Sequence, residues 1–373
     1  MEKIINSKAV KVALAAIGWS QTHLAGELGV SPQAVTNWLK GADFPRPNKL
    51  LKLATTLGLG FDKLVASTER QPVVAYRKRG GTKTTEQHLL KAMAMGALLK
   101  PLVNFLPEKR ALRTQISAPS VSYAFVQSAA AAIREKIGAG AEAVLLYEHL
   151  IDEFQMNDAV IVPVMWGSKQ QHGNALHIFL PEENVTFIYL NLDTYLENFK
   201  FWMAHELAHV YTQDLAGTDD GENFADALAG ALLFPRELAK SAYAAASHAH
   251  SVSREVSALQ RFATTHRISL FSVFCEVRNY AKDSGLPHLK VQDRDIHAVR
   301  NQLRGALVSE SLFKPTPPEA SLYVAAAHSV FKSSFFNALQ KMLRERNTGA
   351  GYVQQLLDIS LKDATALCVD LKH

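Results

Sequence analysis

The residues with the most chemical content lie near the middle of the chain, in the run His205-Glu206-Leu207-Ala208-His209. Residues four apart share one face of a helix, so both imidazoles can reach one metal ion while Glu206 borders the same space. Taken alone, such a run also fits two helix-surface histidines beside a salt-bridging glutamate. The downstream residues shift the balance, because Glu222-Asn223-Phe224-Ala225-Asp226 opens a second apolar stretch that ends at Phe234-Pro235. The loop Thr212 to Gly221 is short enough to fold that second helix back across the first. Glu222 then supplies an oxygen as third ligand, leaving a fourth position open for water, a donor set that suits Zn2+. Asp226, one turn after Glu222, can accept the outer N–H of a ligating histidine and so orient its ring. The chemistry of this set is metal-assisted hydrolysis with Glu206 as general base.

These side chains need a scaffold, and the sequence supplies one. Ala159–Trp166, Ala175–Leu180 and Val185–Leu190 are β-type runs separated by Gly, Asn, Pro and Glu turns, and a long amphipathic helix should follow from near Asp193 to Tyr211. The expected fold is α+β and mainly α, with a small antiparallel sheet beside the His205–His209 helix. The strand Ala175–Leu180 reads as an edge that can receive an extended peptide through main-chain pairing. An oxyanion donor could come from His266, Tyr280 or His288, although single residues of these types are more often structural. Helical patterns cover 86–105, 121–137 and 141–156. Further helical pattern, Leu322–Leu343 and Tyr352–Leu361, fills the C-terminal part, where Phe331, Phe335, Phe336, Leu339 and Met342 read most simply as core.

Composition bounds the rest. With 373 residues, two or three domains are expected, and 48% hydrophobic with 20% charged residues excludes a disordered chain, a collagen-like repeat or a coiled-coil rod. No uncharged apolar run reaches the 18 or so residues of a membrane span, and MEKIINSKAV lacks the apolar region of a signal peptide. Two cysteines, Cys275 and Cys368, make no disulfide framework. A cytoplasmic location without membrane attachment is the expectation. The net charge of +5 is unevenly placed. Residues 1–80 hold eight Lys and four Arg against three Glu and two Asp, a balance of +7, which leaves −2 for the remainder. An anionic partner for the N-terminal part is the functional reading of that excess, and a solvated basic face the plainer one.

In that basic part, residues 7–66 carry apolar residues at helical spacing. Ser20 can cap a helix through Leu24 to Leu28, Gly29 stops it, and Ser31-Pro32 starts the next, which bears Gln33, Thr36, Asn37 and Trp38. Pro45 and Pro47 introduce a further helix, and Phe61 with Leu64 close a five-helix bundle. Two short helices across a glycine turn place the second in a DNA major groove. Gln33 and Asn37 are the candidate base readers, with Thr36 beside them, and Gln21, Lys40 and Arg46 are placed for phosphates. A bundle used only for protein contact is the alternative. The expected division is 1–66 for this domain, 67–85 for a linker in which Pro72 to Tyr76 could form a short extended segment before the basic run Arg77–Gly81, 86–285 for the metal domain and 286–373 for a helical C-terminal region.

Two resemblances sharpen these readings. SQTHLAGELGVSPQAVTNWLKG resembles the Xre/Cro phage-repressor type of helix-turn-helix over residues 7–66. HELAHVY followed by ENFADALAGALLFP looks gluzincin-like and resembles the ImmA/IrrE family of metallopeptidases over roughly 140–285. Carried over by position, His205, His209 and Glu222 match that family's zinc ligands and Glu206 its catalytic base. Asp226 stands where the family often has Asn, and Phe234 where it often has Met. The resemblance implies a bacterial or phage-type regulator: a zinc endopeptidase on a double-stranded-DNA-binding chain, whose substrate is the chain itself, a repressor-type partner or the toxin-type partner of a stress-response or toxin–antitoxin module. A single helix-turn-helix reads only a half-site, so a homodimer is expected. The alternative is a non-enzymatic repressor or antitoxin that keeps the zincin fold as a sensor or docking module.

Overall fold

Caps and glycine stops, rather than long helical runs, organise the N-terminal part. The structure is a computed structural model that describes residues 3–67, 72–77, 86–108, 113–167, 173–302 and 305–372. It separates into two units, Met1–Gln71 and Pro72–His373. In the first, strand β1 (Lys3–Ile5) precedes helices α1 (Ser7–Ala16), α2 (Gln21–Leu28), α3 (Pro32–Leu39), α4 (Pro47–Leu57) and α5 (Phe61–Leu64), and β2 (Val65–Ser67) closes the unit. The Ser20 hydroxyl accepts from His23 N at 3.1 Å and that of Ser31 from Ala34 N at 3.1 Å, each satisfying an otherwise orphaned N–H. Gly29 ends α2 at φ +62°, a conformation that costs glycine nothing. Val10, Leu24, Leu28, Val35, Trp38 and Leu53 form a core of their own. Antiparallel pairing of β1 with β2, for which the sequence gives no local sign, ties the two ends of the unit together.

The second unit is helical around one sheet. Its elements in order are β3 (Val73–Arg77), α6 (Glu86–Leu99), α7 (Tyr123–Lys136), α8 (Tyr147–Met156), β4 (Ala159–Val164), β5 (Ala175–Leu180), β6 (Val185–Asn191), α9 (Leu196–Tyr211), α10 (Asp219–Leu233), α11 (Arg236–Ser247), α12 (Val252–His266) and α13 (Leu270–Asp283). The strand order is β3-β5-β6-β4. β5 runs antiparallel to β3 and β6, but β4 pairs parallel with β6, so the sheet is mixed and four-stranded rather than small and antiparallel. The reason lies in β6, which is buried at every position. A strand apolar on both faces belongs inside a sheet with a neighbour on each side. β5 reaches it by a hairpin, and β4 takes the other side.

Two expectations about boundaries change. Residues 73–77, read as linker, are a strand in five-residue register with β5. Val74 and Ala75 are buried, and this apolar stretch gains more from the sheet than from water. β5 is therefore an interior strand, and the edge expected to be open is filled. Residues 78–81 of the basic run lie outside the described residues. The C-terminal helices, Ala320–Ser329, Phe335–Arg346, Ala350–Leu357 and Leu361–Lys372, do not stand apart either. Phe331, Phe335, Phe336, Leu339 and Met342 are buried in the same core as the sheet. The Trp166 indole donates to Leu357 O at 2.8 Å and the Tyr189 hydroxyl to Leu356 O at 2.9 Å. The expected helix Leu322–Leu343 breaks at 330–334, where Lys332 is left-handed at φ +50° and the Ser333 hydroxyl donates to Ile161 O. No helix among the described residues is long and apolar enough to cross a membrane.

Since β6 has a neighbour on each side, truncating one of its two fully buried aromatics should be costly. Phe187, fully buried, replaced by Ala should lose about 3–5 kcal/mol of stability in denaturant titration. A loss below about 1 kcal/mol would contradict the central placement of the strand.

Candidate metal centre

Helix α9 is buried along most of its length, with Met203, Ala204, Leu207 and Ala208 inaccessible. Such a helix is placed by packing from all sides, not by a single amphipathic stripe. Lys200, also buried, donates to His266 O at 3.0 Å at the end of α12 and lies 5.0 Å from the centre of the Tyr147 ring. This fixes the helix lengthwise. Burial draws the Lys200 ammonium down to about 8. On this frame His205 and His209 present their Nε2 atoms to each other at 3.1 Å.

The turn after α9 sets the third group. Gly217 is left-handed at φ +79°, and the Thr218 hydroxyl caps α10 by accepting from Gly221 N at 3.0 Å. A Cβ on Gly221 would lie 2.1 Å from Leu215 O, so only glycine lets α10 start this close to the turn. Glu222 follows directly, and its carboxylate spans both rings. Oε2 is 3.4 Å from His205 Nε2, and Oε1 is 3.2 Å from His209 Nε2. The three ligand atoms lie within 4.8 Å of one another. Asp226, one turn on, holds His205 Nδ1 at 3.0 Å and leaves Nε2 facing inward.

Electrostatics reflect this geometry. Burial opposes charge on His205, but the carboxylates of Asp226 and Glu222 outweigh it and lift the imidazole to about 9. His209 lies in the opposite direction, because burial outweighs its contact with Glu222. Burial works against the Glu222 charge, yet hydrogen bonds from both imidazoles hold its carboxyl below the usual range. Two imidazole nitrogens and a carboxylate, one ring steered by a second carboxylate, fit a zinc ion with an open position. His205, His209 and Glu222 could hold it.

One participant has no signal in the sequence. His177, at the middle of β5, is fully buried, and neither ring nitrogen has a hydrogen-bond partner among the described residues. Its ring meets that of His209 edge-on at 5.6 Å, and its Nδ1 is 3.7 Å from Glu206 Oε2. Burial keeps this imidazole down at about 3, and therefore neutral. The candidate oxyanion donors make other contacts. His266 packs on Phe234 at 5.6 Å, Tyr280 on Tyr243 at 6.1 Å, and His288 beside Phe274 and Val277. None of these contacts reaches His205, His209 or Glu222.

In the first unit, Gln33 and Asn37 come together on α3, with Gln33 Nε2 donating to Asn37 Oδ1 at 2.9 Å. Thr36 turns inward to donate to Pro32 O at 3.0 Å. Gln21 begins α2, Lys40 ends α3 and Arg46 precedes α4, all three exposed. Lys49, not singled out from sequence, donates to Leu28 O at 2.7 Å and Gly29 O at 3.2 Å, and so satisfies the carbonyls at the end of α2.

Comparison with known families agrees with both parts. Residues 10–64 match the helix-turn-helix family, and residues 158–273 match the IrrE N-terminal-like domain. The chain thus joins an Xre-type helix-turn-helix to an IrrE/ImmA-like, metallopeptidase-like domain, a combination that supports a DNA-binding regulator. No curated protein matches the chain.

Metal analysis of the purified protein should find about one zinc per chain, as three protein ligands and one open position require. Asp226→Ala should weaken binding by roughly 10–100-fold, since it removes the group that orients a ligand and not a ligand. Full zinc occupancy in a His205→Ala, His209→Ala double variant would exclude the site.

Proposed function

We propose that the chain is a DNA-binding transcriptional regulator whose second unit is a zinc-dependent endopeptidase, acting on a repressor-type or other module-partner protein. The observation that carries this reading is the convergence of His205, His209 and Glu222, with Glu206 on the same helix and inside the same buried space. Held by those three side chains, zinc would supply a Lewis acid that polarises a peptide carbonyl and acidifies water. The remaining work belongs to the chain. Glu206 accepts the proton of the attacking water and returns it to the leaving amine. His177, neutral and facing that carboxylate, keeps a charged competitor away and limits where it can turn. Asp226 keeps the Nε2 of His205 pointed inward. Glu206 is itself only 2% exposed, and burial of its carboxylate strengthens the charge interactions it makes there.

For the first unit, the linked amides of Gln33 and Asn37 suit bidentate contact with an adenine edge, and Gln21, Lys40 and Arg46 suit phosphates. A homodimer would supply the second half-site. Asn37→Ala should lose roughly 1–3 kcal/mol of specific binding and relax selectivity at one base position. Lys40→Ala should weaken all sequences alike and flatten the salt dependence. Unchanged binding of upstream DNA by a protein lacking residues 1–66 would place DNA recognition elsewhere.

The enzyme reading is tested by Glu206→Gln, which preserves size and leaves the proposed ligands intact. It should retain zinc and DNA binding while proteolysis of the partner falls by about 10²–10⁴-fold. Should the Gln variant derepress as fully as the wild type, with the partner intact in both, the second unit is a sensor or docking module instead.

A further inference from the structure

Extended peptides are commonly gripped by pairing with the edge of a sheet, where main-chain hydrogen bonds give affinity and alternate side chains give selectivity. In this fold the strand that borders the metal group is β5, because His177 lies edge-on to His209 at 5.6 Å and 3.7 Å from the Glu206 carboxylate. A peptide added to β5 at the level of His177 would pass that group. The chain already has a segment there. β3 pairs antiparallel with β5 from Val73↔Phe179 to Arg77↔Ala175, with Ala75 opposite His177. Partners directly across a pair share one face of the sheet, so Ala75 lies on the face of His177.

The other side of β3 is held as well. Val74 O sits 2.7 Å from where a Cβ on Gly217 would stand, and Gly217 belongs to the turn that joins α9 to α10. Pro72 packs against the backbone of α6 so closely that a Cβ on Gly96 would meet it at 2.7 Å. β3 thus lies between β5 and the turn connecting the helices of His205, His209 and Glu222. At the same time His205 and His209 are fully buried and Glu206 is 2% exposed, while the Glu222 and Asp226 side chains, 27% and 36% exposed, leave the group open to solvent on the side of α10.

We infer that residues 73–77 are an internal occupant of the strand position a peptide substrate would take, so that the β5 edge binds an extended peptide only when β3 leaves it. Its consequence for cleavage rests on the proposed peptidase reading, but the occupancy itself is a binding property. The pairing also defines the kind of partner: an extended segment whose residue opposite His177 is as small as Ala75. The segment lies at the start of the second unit, directly after the helix-turn-helix unit in the chain.

The test uses full-length protein carrying Glu206→Gln, so that no probe is consumed, and a labelled peptide with the sequence of residues 72–77, followed by fluorescence anisotropy. Val73→Cys with Phe179→Cys places a reversible cross-link across the β3–β5 pair. Oxidised protein should bind the peptide at least about tenfold more weakly than the same protein after reduction, because affinity scales with the fraction of open edge. Since one protein is compared in two states, misfolding cannot mimic the result. In parallel, Val74→Pro should strengthen peptide binding and speed hydrogen exchange along β5. Equal binding in the oxidised and reduced states, or binding in neither, overturns the inference. If the opened edge binds peptide but protein with Glu206 restored never cleaves it, the peptidase reading fails while the occupancy stands.

Discussion

The second unit depends on the approach of one carboxylate to two buried imidazoles. Glu222 reaches His205 and His209 at 3.4 and 3.2 Å, and neither ring could keep that position without a helix that is itself enclosed. Taking such groups from water is expensive, and the cost is offset only where each finds a partner. Asp226 serves His205, Glu222 serves both rings, and Gly221 brings the carboxylate near enough by allowing α10 to begin against Leu215 O. The apolar residues of α9 and the interior strand β6 are what make this close arrangement rigid.

That constraint shapes the surrounding architecture. The sheet shields the inner side of α9, and β5 brings His177 to the far side of Glu206. The C-terminal helices enclose the sheet through hydrogen bonds from Trp166 and Tyr189 to Leu357 and Leu356. Residues beyond the matched segment 158–273 thus complete the core around the centre and do not form a separate appendage. The helix-turn-helix unit is stabilised differently, by caps, glycine stops and a small core of its own. On α3, Gln33 is exposed and Thr36 and Asn37 are half-buried, and none of the three belongs to that core.

Much of this is legible in the sequence because it is local. The His205–His209 pair and the Glu222–Asp226 pair are each set by one helical turn, and a short loop joins them, so spacing alone brings the four side chains together. Ser20, Gly29, Ser31 and Pro32 mark helix ends through chemistry confined to a few residues. His177 is not legible, since a single histidine within the apolar run Ala175–Leu180 carries no spacing that ties it to the helix. The strand Val73–Arg77 is legible only as a short extended segment at Pro72 to Tyr76; its place in the sheet is not, because its partner lies about a hundred residues later and such a segment also fits a linker. The parallel β4–β6 pairing is likewise non-local. The burial of β6 at every position, which gives it a neighbour on each side, emerges only in the folded chain.

The proposed arrangement of these side chains is a three-ligand zinc centre with one position free. X-ray absorption spectroscopy of the zinc-loaded protein at the metal edge reads it most directly. Two imidazole nitrogens, carboxylate oxygen and one exchangeable light-atom ligand are expected, with the imidazole signal lost in the His205→Ala, His209→Ala protein. A shell that contains sulfur, or one with two imidazoles that persist in that double variant, would contradict it.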